Sequence, residues 1–508
     1  MISIYPIYSQ YSEIIIDNND GPNEPAIQIN PYNTNQIVAG ANTDSYYYSA
    51  DGGYSWTEGF LSSTYGVWGD PVIVCDNRGD FYFFHLSNPD FGNWIDRIVC
   101  QKSTDGGVNW NDGTFTGLDG AKAQDKEWAC IDRTNNTIYL TWTQFDTYGS
   151  SAPEDSSYIM FSKSEDAGTT WSPSIRINLT AGDCIDDDQT VEGAVPAVGP
   201  NGEIYVSWAG RTTSGENAIM FDKSNDGGET WLDEDVFVTG FPGGWAYDIP
   251  GISRCNGLPV IKCDTGSVSF NGTLYINWTD QQNGIYDTDV WLVKSTDGGE
   301  TWSEKIRVND DDSGKQQFFT WFDIDQTNGK LYFIFYDRRN YNDTKTDVYM
   351  AVSEDGGETF NNIKISETPF NPSSSVFFGD YTNISVYDGK VAPIWARADG
   401  ASRSLRTVVL DQVGITNDDL IFPETIFPNP SSTEFYYSFK IKEETNVSLY
   451  IIDIHGNIIV SLMENEKMKP GKYLKTFDAG YYNLKNGVYF FNYRAGESVD
   501  VRKIIYKN

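Results

Sequence analysis

Short runs of Val, Ile, Tyr, Phe and Trp recur along the first four hundred residues, separated by Gly, Asn and Asp. Such runs read as strands, and no stretch shows the 3.6-residue apolar period of an amphipathic helix. The chain is therefore predicted to be all-β. The runs also align with one another. One column reads Tyr82-Phe-Phe-His85, Tyr139-Leu-Thr-Trp142, Tyr205-Val-Ser-Trp208, Tyr275-Ile-Asn-Trp278 and Tyr332-Phe-Ile-Phe335. Ahead of each lies a turn: Asn77-Arg-Gly79, Asn135-Asn136, Asn201-Gly202, Asn271-Gly272 or Asn328-Gly329. Asn and Gly supply the positive φ of a tight hairpin, so a first strand is predicted before each turn and a second after it. Third strands are predicted at 98–102, 159–163, 219–223, 290–294 and 348–352, and fourth strands at 175–177, 306–308 and 363–365.

Between third and fourth strands sits one motif in six copies. The clearest is Ser295-Thr-Asp297-Gly-Gly-Glu-Thr-Trp302; the others centre on Asp51, Asp105, Asp166, Asp226 and Asp355, at successive spacings of 54, 61, 60, 71 and 58 residues. A fixed motif at a near-constant period signals a repeat architecture, and four antiparallel strands per repeat make a β-propeller. Three further strands without the motif (377–381, 391–395 and 406–410) are predicted after the sixth copy, and Ile14 to Ile16 can supply a fourth. That gives seven blades; counting motifs alone gives six. In the motif, the Asp carboxylate is expected to accept N–H groups of its own turn, the glycines to take positive φ, and the Trp to pack between strands. It lacks the carboxylate spacing of a calcium-binding EF-hand loop. The six Asp residues are thus assigned to the scaffold.

The repeat stops near residue 410. Residues 411–425 read as a linker, and 426–508 alternate like a small immunoglobulin-like β-sandwich, with short strands and a turn at His455-Gly-Asn457. The propeller is assigned to 13–410. Residues 1–12 are expected to be the remnant of a signal peptide, and an upstream sequence without a basic, apolar extension would refute that.

Charge narrows the function. Lys+Arg 36 against Asp+Glu 72 gives a net charge of −36, which argues against a nucleic-acid partner because phosphate binding needs clustered cations. No apolar run approaches the ~20 residues of a membrane helix. With two histidines and no Cys-x-x-Cys pair among six cysteines, a zinc site or a Ser-His-Asp triad has little support. Cys255 and Cys263 are close enough to close a small loop in an oxidising compartment. No cofactor is required; Asp183, Asp186-Asp-Asp188 and Asp310-Asp-Asp312 are candidate calcium ligands, although solvated loop acids are the preferred reading of these runs because adjacent carboxylates are common in ordinary charge runs.

The six motifs resemble the Asp-box, or BNR repeat, of sialidases and related propellers. In that family the box lies on the face away from the active site. The resemblance therefore directs attention to the loops after the second strands and those leading into the first. Arg211, Arg338 and Arg397 each follow a second strand. The resemblance implies that they clamp a substrate carboxylate, as guanidinium groups can, with Asp380 as a further substrate-binding residue; the alternative is that these arginines pair with Asp337, Asp380 and other acids at blade junctions. It also implies Tyr381 as nucleophile, Glu192 as its base and Asp125 as a further catalytic acid. One departure is plain: the family's arginine ahead of the first box is missing, since the first arginine here is Arg78. The C-terminal part resembles the type IX secretion sorting domain of Bacteroidetes, through Phe427-Pro-Asn-Pro430, Gly471-Lys-Tyr473, Leu484-Lys-Asn-Gly487-Val-Tyr489 and the basic end at Arg502-Lys503 and Lys507. That resemblance implies secretion or surface attachment through the type IX machinery. The expected function is a glycoside hydrolase on extracellular glycans or, alternatively, a non-catalytic carbohydrate-binding or adhesion propeller.

Overall fold

The computed structural model describes residues 12–507 apart from 20, 188, 313, 412–420, 428, 430, 442–443, 454–456, 483 and 496–497. Every regular element among the described residues is a strand. The chain divides into two compact units, residues 1–413 and 414–508.

In the first unit, the described residues form six four-stranded antiparallel sheets of consecutive strands, a seventh that takes its outermost strand from the start of the chain and a short fifth strand, Leu410–Asp411, and one two-stranded hairpin. The blade holding the motif of Ser164 is typical. It runs Ala123–Asp132, Thr137–Phe145, Ser157–Ser164 and Ile175–Arg176. The innermost strands of the seven are Ala26–Ile29, Gly69–Cys75, Ala123–Asp132, Glu192–Val198, Val260–Cys263, Gln317–Asp325 and Asn383–Tyr387. Each packs against the next, and the last returns to the first, so they make a closed ring. In the seventh blade the strands are Asn383–Tyr387, Lys390–Asp399 and Ser402–Thr407, and the outermost place is taken by Ile14–Asp17, paired antiparallel with Ser402–Thr407. That pairing ties the two ends of the ring together and covers an otherwise open sheet edge. The stretch 377–381, predicted as a strand, is instead the loop leading into this blade, and it carries Asp380.

The six boxes share one hydrogen-bond pattern. In the fifth, Ser295 Oγ donates to Asp297 Oδ1 (2.7 Å), Gly299 N donates to Ser295 Oγ (2.9 Å), and the Thr301 N–H and hydroxyl donate to the two oxygens of Asp297 (2.9 and 2.6 Å). The turn also clips one blade to the next. Lys163, Lys223 and Lys294 each precede a box Ser, and each Nζ donates to a glycine carbonyl in the following box: Gly227, Gly298 and Gly356, at 3.0, 3.0 and 2.9 Å. Trp171, Trp231 and Trp302 pack edge-on against Phe84, Phe161 and Phe221 of the preceding blade.

The second-strand residues Trp142, Trp208, Trp278 and Trp395 are fully buried. They belong to the core rather than to a ligand face, because the strand pleat turns them between blades. All six cysteines are unpaired, so the Cys255–Cys263 loop does not close.

The second unit is a two-sheet sandwich. One sheet orders Ile421–Phe427, Glu434–Ile441 and Gly471–Asp478; the other orders Ile458–Met468, Thr445–Ile452, Gly487–Ala495 and Ser498–Tyr506. Phe435, Phe439, Val447, Leu449, Phe491 and Tyr493 fill the space between them. The first strand starts at Ile421, inside the stretch read as linker, because residues 421–427 find a full partner in Glu434–Ile441. The predicted turn at His455 lies outside the described residues, as does all of 1–12 except Ser12.

Candidate functional site at the propeller axis

Four of the innermost strands begin with a break in register, between Gly69 and Val72, Asp125 and Trp128, Glu192 and Val195, and Phe318 and Trp321. The residues within these bulges, Asp70, Lys126, Gly193 and Phe319, have φ of 54°, 51°, 69° and 50°. Three of the four are not glycine, and the left-handed region costs such residues about 1–2 kcal/mol. Bulges re-aim side chains. Here they bring residues of distant blades together: Lys126 of the third blade reaches Asp380 ahead of the seventh, which is possible only across the axis.

Lys126 Nζ lies 2.8 Å from Asp380 Oδ2, 3.1 Å from Asp70 Oδ2 and 4.0 Å from Glu24 Oε1. Arg254 Nε donates to Asp380 Oδ1 at 3.0 Å, and its Nη2 completes a bidentate pair. Arg254 Nη1 also stands 3.5 Å from Asp186 Oδ2, which accepts the Tyr148 hydroxyl at 2.6 Å. Asn42 donates to Glu24 and accepts the Asp70 N–H. Trp128 and Trp321 floor the cluster with ring centroids 4.3 Å apart, and Tyr381 meets Trp128 edge-on at 5.2 Å. Beneath lies a cavity of about 20 Å³, lined by Lys126, Trp128, Trp321, Asp380 and Tyr381 among others. It has room for about one water.

The carboxyls are driven apart. Burial pushes Asp380 upward, but Lys126 and Arg254 outweigh it and hold the group down to about 2. Burial raises Asp125 to about 7, with Asp70 and Asp186 adding to it against Lys126. Burial, then the Asp70 charge, lifts Glu24 and Glu127 well above the ordinary range. Burial, then Asp186 and Asp125, does the same to Glu192. Lys126 stays cationic although burial opposes it, because Asp380, Asp70 and Glu24 surround it. Neither Glu127 carboxyl oxygen nor the Tyr381 hydroxyl has a hydrogen-bond partner among the described residues.

Of the residues predicted from sequence, Asp125, Glu192, Asp380 and Tyr381 do come to the axis. The expected Tyr381–Glu192 pairing is absent. The charges acting on the Tyr381 hydroxyl are Asp70, Glu24, Lys126 and Glu127, whereas Glu192 faces Asp186 and Asp125. The three arginines are not brought together either. Arg211 is held by Gly215 O and Gln189 Oε1. Arg397 pairs with Asp399 and with Thr368 O. Arg338 is buried over the Phe318 ring, donates to Thr346 Oγ1, and burial lowers its pKa to about 10. Local carbonyls and acids satisfy the first two before any clamp can form.

Lys126 and Arg254 were not anticipated. Lys126 hid between two acids, Asp125 and Glu127. Arg254 sits on an inserted hairpin, Ala246–Tyr247 and Cys255–Asn256. The 71-residue spacing between the fourth and fifth boxes was its only trace in the sequence. Of the acidic runs read as calcium candidates, Asp186 pairs with Arg254 and Asp310 with Arg339. Among the described residues no group of three or more His, Cys, Asp or Glu side chains is arranged to hold a metal.

The chain is similar in structure, at low identity, to several glycan-related proteins. A Hadza microbial sialidase shares 14% identity over 74% of this chain and 73% of its own, with a TM-score of 0.44. An α-L-arabinofuranosidase from Fusarium graminearum shares 10% over 81% and 99%, with a TM-score of 0.44. An ulvan lyase of polysaccharide lyase family PL25 shares 12% over 79% and 96%, with a TM-score of 0.47. No curated protein sequence matches the chain. Residues 425–507 match the family model for a secretion system C-terminal sorting domain. The second unit is thus a secretion sorting domain, and the protein is one that is secreted or carried to the cell surface.

Proposed function

We propose that the protein is an extracellular glycan-acting enzyme, a glycoside hydrolase of the sialidase-like kind, with its chemistry at the propeller axis. The observation that carries this reading is the split among the axial carboxyls: Asp380 ionised from about pH 2 and Asp125 holding its proton to about pH 7. Glycoside hydrolysis needs a carboxylic acid to protonate the leaving oxygen and an anionic or nucleophilic group opposite it. Asp125 takes the first role. Tyr381 attacks the anomeric carbon, and its hydroxyl proton passes to Asp70, the Lys126-paired carboxylate whose charge acts most strongly on it. Burial and the charges of Asp70 and Asp186 keep Asp125 protonated. Asp380, fixed by Lys126 and Arg254, shapes the substrate-binding floor.

The test is turnover of a panel of fluorogenic glycosides, sialosides included, by the full chain. Asp125→Asn and Tyr381→Phe should each lower kcat about 100-fold or more. The wild-type rate should fall as pH rises through about 7, where Asp125 loses its proton. Cleavage that survives both substitutions refutes the site assignment. A second reading, a glycan-binding propeller without turnover, is favoured by the single-water cavity and by cations already paired with acids. Retention on immobilised glycans with no cleavage of any panel member would establish it.

A further inference from the structure

On the face where the loops enter the first strands, the axial cluster continues outward as a row of aromatic rings. Trp68 lies two residues before Asp70, and Trp94 lies in the loop after the second strand of the same blade. Their ring centroids are 6.0 Å apart and edge-to-face. Trp94 meets Tyr148 edge-on at 5.5 Å, and the Tyr148 hydroxyl donates to Asp186, which also stands against Arg254. The charges of Asp125 and Glu192 also act on Tyr148. The row is therefore contiguous with the candidate acid at the axis.

Two features separate this row from ordinary surface aromatics. The first is exposure. Trp68 and Trp94 are 42% and 43% exposed, although large indole rings are mostly covered when nothing needs them. The second is rigidity. Trp68 N donates to Leu86 O, and Ile95 N donates to Ser87 O. Asp96 closes the same loop by accepting from the Ser87 hydroxyl, the Asn93 N–H and the Arg97 guanidinium. The backbone that carries the rings is fixed and the rings brace one another edge to face before any ligand arrives, which lowers the ordering cost of binding.

We infer that Trp68, Trp94 and Tyr148 form a stacking platform for the sugar rings of a neutral oligosaccharide, next to the residue whose bond is cut. The inference rests on the reading of the axis as a glycan site. The C–H face of a pyranose lies against an aromatic ring, and its hydroxyls hydrogen-bond to Asp186, beside Tyr148, and to the axial acids beyond it. Those acids favour a neutral chain over a polyanionic one. They also argue against an apolar peptide, which would leave them desolvated and unpaired.

The experiment titrates the full chain with neutral gluco-, xylo-, manno- and galacto-oligosaccharides of one to six units. It follows tryptophan fluorescence and calorimetric heat. At least one series should perturb the fluorescence and bind more tightly as the chain lengthens to three units. Trp94→Ala and Trp68→Ala should each weaken that binding about tenfold, and Trp94→Phe should restore most of it. No response to any series, equal affinity for monosaccharide and trisaccharide, or binding that survives the double alanine variant overturns the proposal. So does a dimer in light scattering that Trp94→Ala dissolves, since the row would then be a contact between copies. Binding needs no turnover. Length-dependent binding without cleavage leaves the platform standing and removes the hydrolase; cleavage without the platform does the reverse.

Discussion

Ala167 stands where the other five boxes have their first glycine, and it takes φ 61° there. The second glycine is never replaced, and the structure says why. A Cβ on Gly228 would lie 2.4 Å from the Phe161 ring, and one on Gly299 2.4 Å from Phe221. At Gly227 and Gly298, the first glycines of the same boxes, nothing but a lysine Nζ or a tyrosine hydroxyl lies within 4 Å. In these two boxes the first position needs only the left-handed backbone and the second also needs the space; in the last box the first is crowded too, a Cβ on Gly356 lying 2.5 Å from the Phe270 ring. Ala167→Gly should therefore stabilise the protein by about 0.5–1 kcal/mol, the relief of strain being partly offset by a freer unfolded chain. Gly228→Ala should cost about 2–4 kcal/mol, from strain and overpacking together. Urea denaturation of both variants checks the pair. The sequence displayed both glycines but could not distinguish their roles, because the difference lies in the neighbouring blade.

At the scale of elements, the innermost strands were the hardest to read. Second strands announced themselves through Tyr-x-x-Trp and the Asn-Gly turn before it. Four of the inner strands begin with bulges, and a bulge adds a residue without leaving an apolar signature. Lys126 is the clearest case. Within Asp125-Lys126-Glu127 it looks like surface charge, yet the bulge turns it onto Asp70 and Asp380. Removing one member of such a buried ion cluster leaves the others uncompensated. Lys126→Met should cost about 3–5 kcal/mol at pH 7. The loss should shrink towards pH 4, where raised carboxyls such as Asp125 take up protons. Denaturation of wild type and variant at the two pH values measures both parts. A loss that is the same at pH 4 and pH 7 would show that Lys126 acts through packing instead.

At the scale of the molecule, two opposing sets of acids shape the pH dependence. Asp125 and Asp222 are raised by burial to about 7, and Asp337 to about 6. A raised acid binds its proton more tightly when folded, so stability falls as pH climbs from the unfolded value near 4 towards 7. The box residues Asp226 and Asp297 are lowered to about 2 by hydrogen bonds from Thr230 and Thr301. Their contribution is complete above about pH 4 and is lost as pH falls towards 2. Thermal melts should thus show greatest stability between about pH 4 and 5, lower at pH 8 and lower again at pH 2. A flat profile from pH 5 to 8 would contradict the burial of these carboxyls. The apolar core of the sandwich is separate from those of the propeller. A chain ending at Val413 should therefore keep the propeller's melting transition and lose only that of the sandwich.

By itself the sequence determined the repeat, the strand pattern, the box turns, the sorting domain and the acidic charge. Each of these is local: a hairpin turn, a two-residue alternation or a motif is complete within a few residues. Only the tertiary structure decided which charges meet. The axis is assembled from residues of different blades, far apart in the chain and joined by no shared motif. Side chains alike in sequence part company there, Asp125 staying protonated to about pH 7 and Asp380 ionised from about pH 2. Burial and the nearest cation make that difference, and both are properties of the closed ring rather than of any segment in it.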